Sequence, residues 1–191
     1  MKIGLFFGSF NPVHIGHMAL ANYMLEFTDL NRVWLVVSPH NPLKNKSSLL
    51  ADHHRLALVQ QAIGDNNKIK ASDIEFALTK PSYTVNTLVH LAEKYPKNEF
   101  ALIMGSDNLE SLHKWKNYEV ILNQYTIYVY PRPGFAGGQF ATHKNIVMTD
   151  APLMSISSTM IRNAIKENKD MRYFMPTAAW NYLEEMHFYS H

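Results

Sequence analysis

A short segment near the N-terminus, residues 8–17, constrains the fold of this chain more than any other. It reads Gly-Ser-Phe-Asn-Pro-Val-His-Ile-Gly-His and follows an apolar run, residues 3–7, that is typical of a short buried strand. A turn rich in Gly, Asn and Pro comes next, and apolar residues then recur with helical spacing over residues 15–27. The sequence therefore predicts a strand that passes through a tight turn into the N-terminus of a helix.

A junction of this kind is suited to phosphate. The first backbone N–H groups of a helix have no partners within it, and the helix dipole adds partial positive charge there. His14 and His17 are three residues apart, so both can face that point and each can donate a hydrogen bond to a phosphate oxygen. We interpret the segment as a nucleotide site. A zinc site is the alternative, although a third ligand at a fixed spacing and the Glu of a zinc-hydrolase helix are both missing from the pattern.

The segment resembles the signature of the nucleotidyltransferase superfamily, whose members share a His-x-Gly-His motif. Its full form is most similar to the bacterial nicotinate-nucleotide adenylyltransferases. Three further segments extend the resemblance in the expected order: Ser-Tyr-Thr-x-x-Thr at 82–87, Gly-Ser-Asp at 105–107 and Ile-Ser-Ser-Thr-Met-Ile-Arg at 156–162. The resemblance implies transfer of AMP from ATP to nicotinate mononucleotide, which gives nicotinate adenine dinucleotide and pyrophosphate in NAD biosynthesis.

The residues expected to bind ATP lie in three of these segments. In-line attack on the α-phosphorus needs positioning and charge stabilisation but no protein nucleophile. The resemblance implies that His14, His17 and Arg162 are the catalytic residues. Taken alone, the hydroxyls near Arg162 favour a plain helix cap over a second anion site, and the histidine motif reverses that preference. The full ATP-binding set is Gly8, Ser9, Phe10, His14, His17, Gly105, Asp107, Ile156, Ser157, Ser158 and Arg162.

A second group of residues is expected to bind the nicotinate mononucleotide. Trp115 is either a core residue or a flat surface on which a pyridine ring stacks. Thr84 begins a predicted helix and can present N–H and hydroxyl donors to a carboxylate, which would distinguish nicotinate from nicotinamide. Lys44, in a Pro-rich loop, is either solvated or bound to phosphate. The whole group is Asn11, Lys44, Tyr83, Thr84 and Trp115.

The rest of the chain alternates between strand and helix patterns. Strands are predicted at residues 2–7, 32–37, 68–72, 100–104, 126–130 and 145–148, and helices at 15–27, 52–63, 84–94, 107–112, 118–122, 157–168 and 176–186. This alternation predicts a Rossmann-like, mainly parallel sheet flanked by helices, with a small helical C-terminal portion. Ligands bind such sheets at the carboxyl ends of the strands, so we expect His14, Ser38, Gly105 and Tyr130 to converge. Residues 131–144 are the segment most typical of a mobile loop, where Arg132 either closes over ATP or is simply exposed.

Composition narrows the class of protein. The chain has 191 residues, 47% hydrophobic and 18% charged, which predicts one globular domain over residues 1–191. It has no cysteine, which excludes disulfides and thiolate metal sites. The net charge of +2 is spread along the chain, so we expect no nucleic-acid partner. No apolar run approaches the roughly 20 residues of a membrane span, so we expect a soluble cytoplasmic protein. A homo-oligomer is compatible with the sequence. We expect Mg²⁺ to be held by ATP oxygens and water, with no protein metal site.

Other functions remain open on the sequence alone. Phosphopantetheine adenylyltransferases share the superfamily motif but resemble Gly-Ser-Phe-Asp-Pro, whereas this chain has Asn11. Aminoacyl-tRNA synthetases also carry His-Ile-Gly-His, yet this chain lacks a Lys-Met-Ser-Lys-Ser segment. A non-catalytic nucleotide sensor is an alternative from a different class. A sensor has no need of groups aimed at the transition state, and both histidines and Arg162 are present here.

Overall fold

Six parallel strands form one sheet in the part of the chain that the structure describes. The structure is a computed structural model, and it describes residues 1–39 and 49–190. The strands are β1 (Lys2–Gly8), β2 (Arg32–Val37), β3 (Ile69–Ser72), β4 (Glu99–Gly105), β5 (Ile127–Tyr130) and β6 (Ile146–Met148). They lie in the order β3-β2-β1-β4-β5-β6, and each neighbouring pair is parallel. The predicted Rossmann-like sheet is therefore confirmed.

Helices cover both faces of this sheet. They are α1 (Ile15–Phe27), α2 (Asp52–Ile63), α3 (Thr84–Lys94), α4 (Ser106–Glu110), α5 (Tyr118–Gln124), α6 (Ser158–Lys166) and α7 (Thr177–Glu185). Their bounds lie within about two residues of the predicted ones. One difference has a clear cause: α4 ends before Leu112, because the chain tightens there into the 3₁₀ turn Leu112–Lys114.

Two apolar cores result, one on each face, because side chains alternate along a strand. In β1, Ile3 and Leu5 join the core under α3, α4 and α5, whereas Phe6 joins the core under α1, α2, α6 and α7. The predicted C-terminal helical portion belongs to the second core. There α7 lies against α2, and the Tyr182 hydroxyl is 3.2 Å from Nδ1 of His54. Among residues 1–39 and 49–190, the structure contains no helix with the length and apolar character of a membrane span.

The strand order creates a crevice between β1 and β4. From β1 the chain proceeds to β2 and β3 on one side, and it then returns to place β4, β5 and β6 on the other. β1 and β4 are in register, with Phe6 opposite Ile103, so their carboxyl ends open at the same edge of the sheet. Such a reversal of strand order is where parallel sheets bind ligands. The turn that follows β1 and the start of α4 both lie at this point.

Candidate nucleotide-binding site

The turn after β1 is built around a buried phenylalanine. Phe10 has φ of 44°, in the left-handed region that costs free energy for a residue with a side chain, and it is 1% exposed. Its ring lies over Gly8, where an added Cβ would be 2.9 Å from Cζ of Phe10. Gly8 is therefore required by the packing of this ring, and Phe10 acts as a buried support for the turn.

His14 and His17 lie together at the start of α1, as predicted. His14 precedes the first helical residue, and the two imidazole rings stack with centroids 3.7 Å apart. The backbone N–H of His14 donates to Nδ1 of His17 at 3.2 Å, so a neutral His17 carries its proton on Nε2. The edge of the His17 ring also contacts Phe10, with centroids 5.0 Å apart. The hydrogen bond and the ring contacts thus hold the two rings in one orientation.

Burial controls the charge of His14. The residue is 5% exposed, and desolvation, with a smaller contribution from the positive charge of Arg132, lowers the pKa of His14 to about 4. His14 is therefore neutral at pH 7 and can donate a single N–H bond.

The N-terminus of α6 is bonded to the same turn. Ser157 caps the helix, since its Oγ accepts the backbone N–H of Met160 at 3.2 Å. Ser158 Oγ donates to the carbonyl of Pro12 at 2.8 Å, and Nη1 of Arg162 donates to the carbonyl of Asn11 at 2.7 Å. The cap is thus present, and the structure also brings the half-buried Arg162 guanidinium beside the histidine turn. Ile156, just before the cap, packs against the core under α1.

The carboxyl ends of β4 and β5 complete the crevice. A Cβ on Gly105 would lie 2.4 Å from Oδ1 of Asp107 and 2.8 Å from Cγ of Arg132, so only glycine lets these side chains approach. Nε of Arg132 lies 3.8 Å from Oδ1 of Asp107, and the Arg132 N–H donates to Ser106 Oγ at 2.9 Å. Tyr130 packs its ring against Phe6, and burial raises the pKa of Tyr130 to about 12. The expected convergence of these strand ends on one crevice is therefore observed.

The predicted loop at residues 131–144 is attached to α4. Oε1 of Glu110 accepts the backbone N–H groups of Ala136 at 2.9 Å and of Gly137 at 3.1 Å. Arg132 is the second residue of this segment. The hydrogen bonds to Ser106 and Glu110 hold the main chain of the segment, and so they set the point from which the Arg132 side chain extends.

Three of the residues expected to bind the mononucleotide lie together around the start of α3. Thr84 is the first residue of α3, and Tyr83 precedes it with extended backbone. Tyr83 is 38% exposed, and Nζ of Lys116 lies 4.4 Å from its ring centroid, which brings the segment around Trp115 next to the start of α3. Trp115 is half-buried against the core under α3 and α5, so it packs like a core residue and keeps an accessible part. Lys44 lies outside the described residues.

Asn11 is buried in the turn instead of facing open solvent. It is 4% exposed, and its Oδ1 accepts the backbone N–H of Leu50 at 3.1 Å and the hydroxyl of Tyr189 at 2.6 Å. Its amide oxygen therefore holds parts of the protein together. A direct contact of Asn11 with substrate stays a prediction.

Sequence reasoning missed Arg55, a fully buried cation beneath the crevice. It donates to the carbonyls of Ser9 at 2.7 Å, Ser38 at 2.8 Å and Leu50 at 3.0 Å, and it pairs with Asp52 at 2.6 Å. Desolvation lowers the pKa of Arg55, and Asp52 opposes that shift. Arg55 thus joins the loops after β1 and β2, which is how Ser38 comes to the site. The Asp-x-x-Arg spacing at 52–55 is typical of an ion pair on a helix, but it carries no signal for these loop contacts.

Clusters of three or more His, Asp or Glu residues that could hold a metal ion are absent from residues 1–39 and 49–190. The side chains that converge on the crevice are mainly N–H donors: His14, His17, Arg132 and Arg162.

Comparisons with known proteins show what this chain is similar to. Residues 5–164 match the cytidylyltransferase-like family. The chain is 55% identical to a probable nicotinate-nucleotide adenylyltransferase of Christiangramia forsetii, over 98% of each protein. A relative of the same description from Flavobacterium johnsoniae is 56% identical over 99% of each protein, and one from Bacteroides fragilis is 49% identical over 94% of this chain and 89% of the relative.

Solved structures share the fold at lower identity. The chain superimposes on nicotinic acid mononucleotide adenylyltransferase of Plasmodium falciparum, complexed with NaAD, with a TM-score of 0.81 and 18% identity. This match covers 99% of this chain and 97% of the other. A putative nicotinate-nucleotide adenylyltransferase from Vibrio parahaemolyticus gives 0.73 and 24%, over 98% and 94%.

Proposed function

This chain belongs to the nicotinate-nucleotide adenylyltransferases of the cytidylyltransferase-like family, and on that basis we propose that it joins ATP to nicotinate mononucleotide. The products are nicotinate adenine dinucleotide and pyrophosphate, a step of NAD biosynthesis. One observation carries the proposal beyond resemblance. The stacked imidazoles of His14 and His17 lie on the turn after β1, and the guanidinium of Arg162, far away in sequence, is bonded to that same turn. Groups fixed in this way can stabilise charge on a reacting phosphate without reorganising.

In the proposed reaction a phosphate oxygen of the mononucleotide attacks the α-phosphorus of ATP. The bond between that phosphorus and the oxygen bridging to the β-phosphate breaks, and its electron pair leaves with pyrophosphate. Nε2 of His17 and the neutral His14 ring donate hydrogen bonds to phosphate oxygens, and Arg162 contributes positive charge. The backbone of Gly8, Ser9 and Phe10 would face the ATP, while the buried Phe10 ring supports the turn.

Asp107 and Arg132, just after the carboxyl ends of β4 and β5, have complementary tasks. Asp107 lies just after β4, a position from which a carboxylate can accept ribose hydroxyls. Arg132 lies near enough to His14 to lower its pKa, and so it is placed to attract the ATP phosphates. The segment at the start of α6 belongs to the motif at 156–162 and faces the same phosphates. Its residues are Ile156, Ser157 and Ser158.

Selection of nicotinate belongs to the region around α3. The first turn of α3 presents backbone N–H groups and the Thr84 hydroxyl, which together suit a carboxylate. The accessible part of Trp115 offers a surface on which a pyridine ring stacks, and the exposed Tyr83 lies next to this segment. An amide at this place would leave donors unpaired, so the acid is preferred over the amide. Lys44 would neutralise the mononucleotide phosphate.

A divalent cation, Mg²⁺, is expected to accompany ATP. The crevice offers mainly N–H donors, and the carboxylate of Asp107 already faces Arg132. Such a set suits phosphate oxygens better than a bare cation, so substrate oxygens and water would hold the Mg²⁺. When bound, Mg²⁺ supplies charge neutralisation for the pyrophosphate that leaves.

The test is pyrophosphate release with ATP and Mg²⁺, comparing nicotinate mononucleotide, nicotinamide mononucleotide and phosphopantetheine. We expect the nicotinate compound to be strongly preferred. Preference for phosphopantetheine would overturn the substrate while keeping the phosphate chemistry. Tight ATP binding with no release from any of the three would favour the nucleotide sensor.

We also propose that residues 1–191 act as one domain in the cytoplasm and can form a homo-oligomer. The C-terminal helices pack on the same core as β1 and α1, which supports a single unit. Light scattering on the full chain gives the oligomeric state.

A further inference from the structure

The C-terminal end of the chain returns to the nucleotide turn. After α7, Phe188 is 9% exposed in the core under α1, with its ring centroid 4.8 Å from that of His54. Tyr189 follows with φ of 65°, in the left-handed region. This backbone conformation is unfavourable for tyrosine and persists only where surrounding contacts impose it. The position of Tyr189 is therefore determined by the folded protein.

The hydroxyl of Tyr189 is connected to Arg162 through one residue. Tyr189 donates to Oδ1 of Asn11 at 2.6 Å, across 178 residues of sequence. On the other side of Asn11, the main-chain carbonyl accepts Nη1 of Arg162 at 2.7 Å. Leu50 also donates its N–H to the Asn11 side chain, so hydrogen bonds restrain both the side chain and the main chain of this residue. A displacement of Asn11 would displace the guanidinium partner with it.

Charge and burial keep this hydroxyl a donor. Desolvation raises the pKa of Tyr189, and the positive charges of Arg162 and Arg55 partly oppose that rise. Tyr189 therefore stays protonated at neutral pH, and its O–H remains available to Asn11.

We propose that Tyr189 is a positioning residue for the ATP phosphates: its hydroxyl holds Asn11, and Asn11 in turn sets the place of the Arg162 guanidinium. The kinetic consequence rests on the adenylyltransferase function proposed above. The aromatic ring of Tyr189 packs against the core, whereas its hydroxyl bonds the turn. Removing the oxygen alone therefore separates packing from positioning.

The experiment compares Tyr189→Phe with Tyr182→Phe in the full-length enzyme. Tyr182 is a matched control because its hydroxyl lies near His54 on α2 instead of bonding the turn. We expect Tyr189→Phe to weaken ATP binding by calorimetry, and to lower kcat/KM, by about 5- to 20-fold, as loss of one buried hydrogen bond does. We expect Tyr182→Phe to leave both within about twofold, although the two variants lose similar thermal stability. Wild-type ATP affinity and kcat/KM in Tyr189→Phe would overturn the proposal.

A second measurement separates positioning from general loosening. In the Arg162→Lys background the forked guanidinium contact is already gone, so adding Tyr189→Phe should change ATP affinity by less than about twofold. An equal fold-change in both backgrounds would contradict a route through Arg162. If wild-type protein binds ATP but releases no pyrophosphate, the proposed function fails, and the affinity comparison still decides the role of Tyr189.

Discussion

The two regions proposed to bind substrate are built differently. On the proposed phosphate side, around the turn after β1, His14 is 5% exposed and the turn is bonded to α6 through Pro12 and Asn11. On the proposed pyridine side, around the start of α3, Tyr83 is 38% exposed, and a Lys116 ammonium over its ring links it to the segment of Trp115. Charge development in phosphoryl transfer rewards groups that are fixed beforehand. Recognition of a planar ring needs a surface and a few donors, so the second side can be more open.

This contrast predicts that rate depends on the first side and substrate choice on the second. Variants on the phosphate side should therefore lower turnover for every acceptor. Variants on the pyridine side should change the ratio between acceptors.

The largest effect is expected for His17→Ala. Loss of one preorganised donor to the transition state lowers kcat by about 10²- to 10³-fold. Steady-state pyrophosphate release measures this, with circular dichroism to show that the fold is intact. His53→Ala, an exposed histidine on α2, is the matched control and should behave as wild type. Normal turnover in His17→Ala would remove the histidine from the mechanism.

An intermediate effect concerns pH and stability. Because the pKa of His14 is about 4 in the folded protein against an ordinary 6.5, the unfolded chain binds more protons between these values. The contribution of neutral His14 is therefore complete above pH 6.5, and it is lost as the pH falls towards 4.

Urea unfolding of the wild type and of His14→Gln, from pH 7 to pH 4.5, measures this contribution. The wild type should lose about 2–3 kcal/mol more than the variant over that range. Parallel curves for the two proteins would show that His14 is not buried in its neutral form.

The smallest effect, on the pyridine side, is expected for Thr84→Val. The substitution keeps the shape of the side chain and removes the hydroxyl, so preference for nicotinate over nicotinamide mononucleotide should fall by about 5- to 10-fold. The ATP KM should stay unchanged. Thr177→Val, which alters the first residue of α7 in the same way, is the control. A change in ATP KM with the acid-to-amide ratio intact would reverse the assignment of the two sides.

Much of the fold follows from local patterns. The strands at Arg32–Val37 and Ile127–Tyr130 are short apolar runs between breakers, and α1 begins directly after the Pro-containing turn. The predicted bounds are confirmed because the spacing of apolar residues and the presence of turn residues determine local structure within a few positions along the chain. The 3₁₀ turn Ile74–Ala77 was missed, since so short an element has almost no period to detect.

Local patterns were enough to predict the succession of strands and helices, the turn with its histidine pair and the family of the chain. The bonds of Arg162 and Tyr189 to Asn11, over separations of 151 and 178 residues, and the burial of Arg55 beneath the loops became visible in the folded protein alone. These features differ in the sequence distance over which they act. Helix and strand preferences act between neighbours, whereas the hydrogen bonds of a buried polar group depend on whichever segments the fold brings around it.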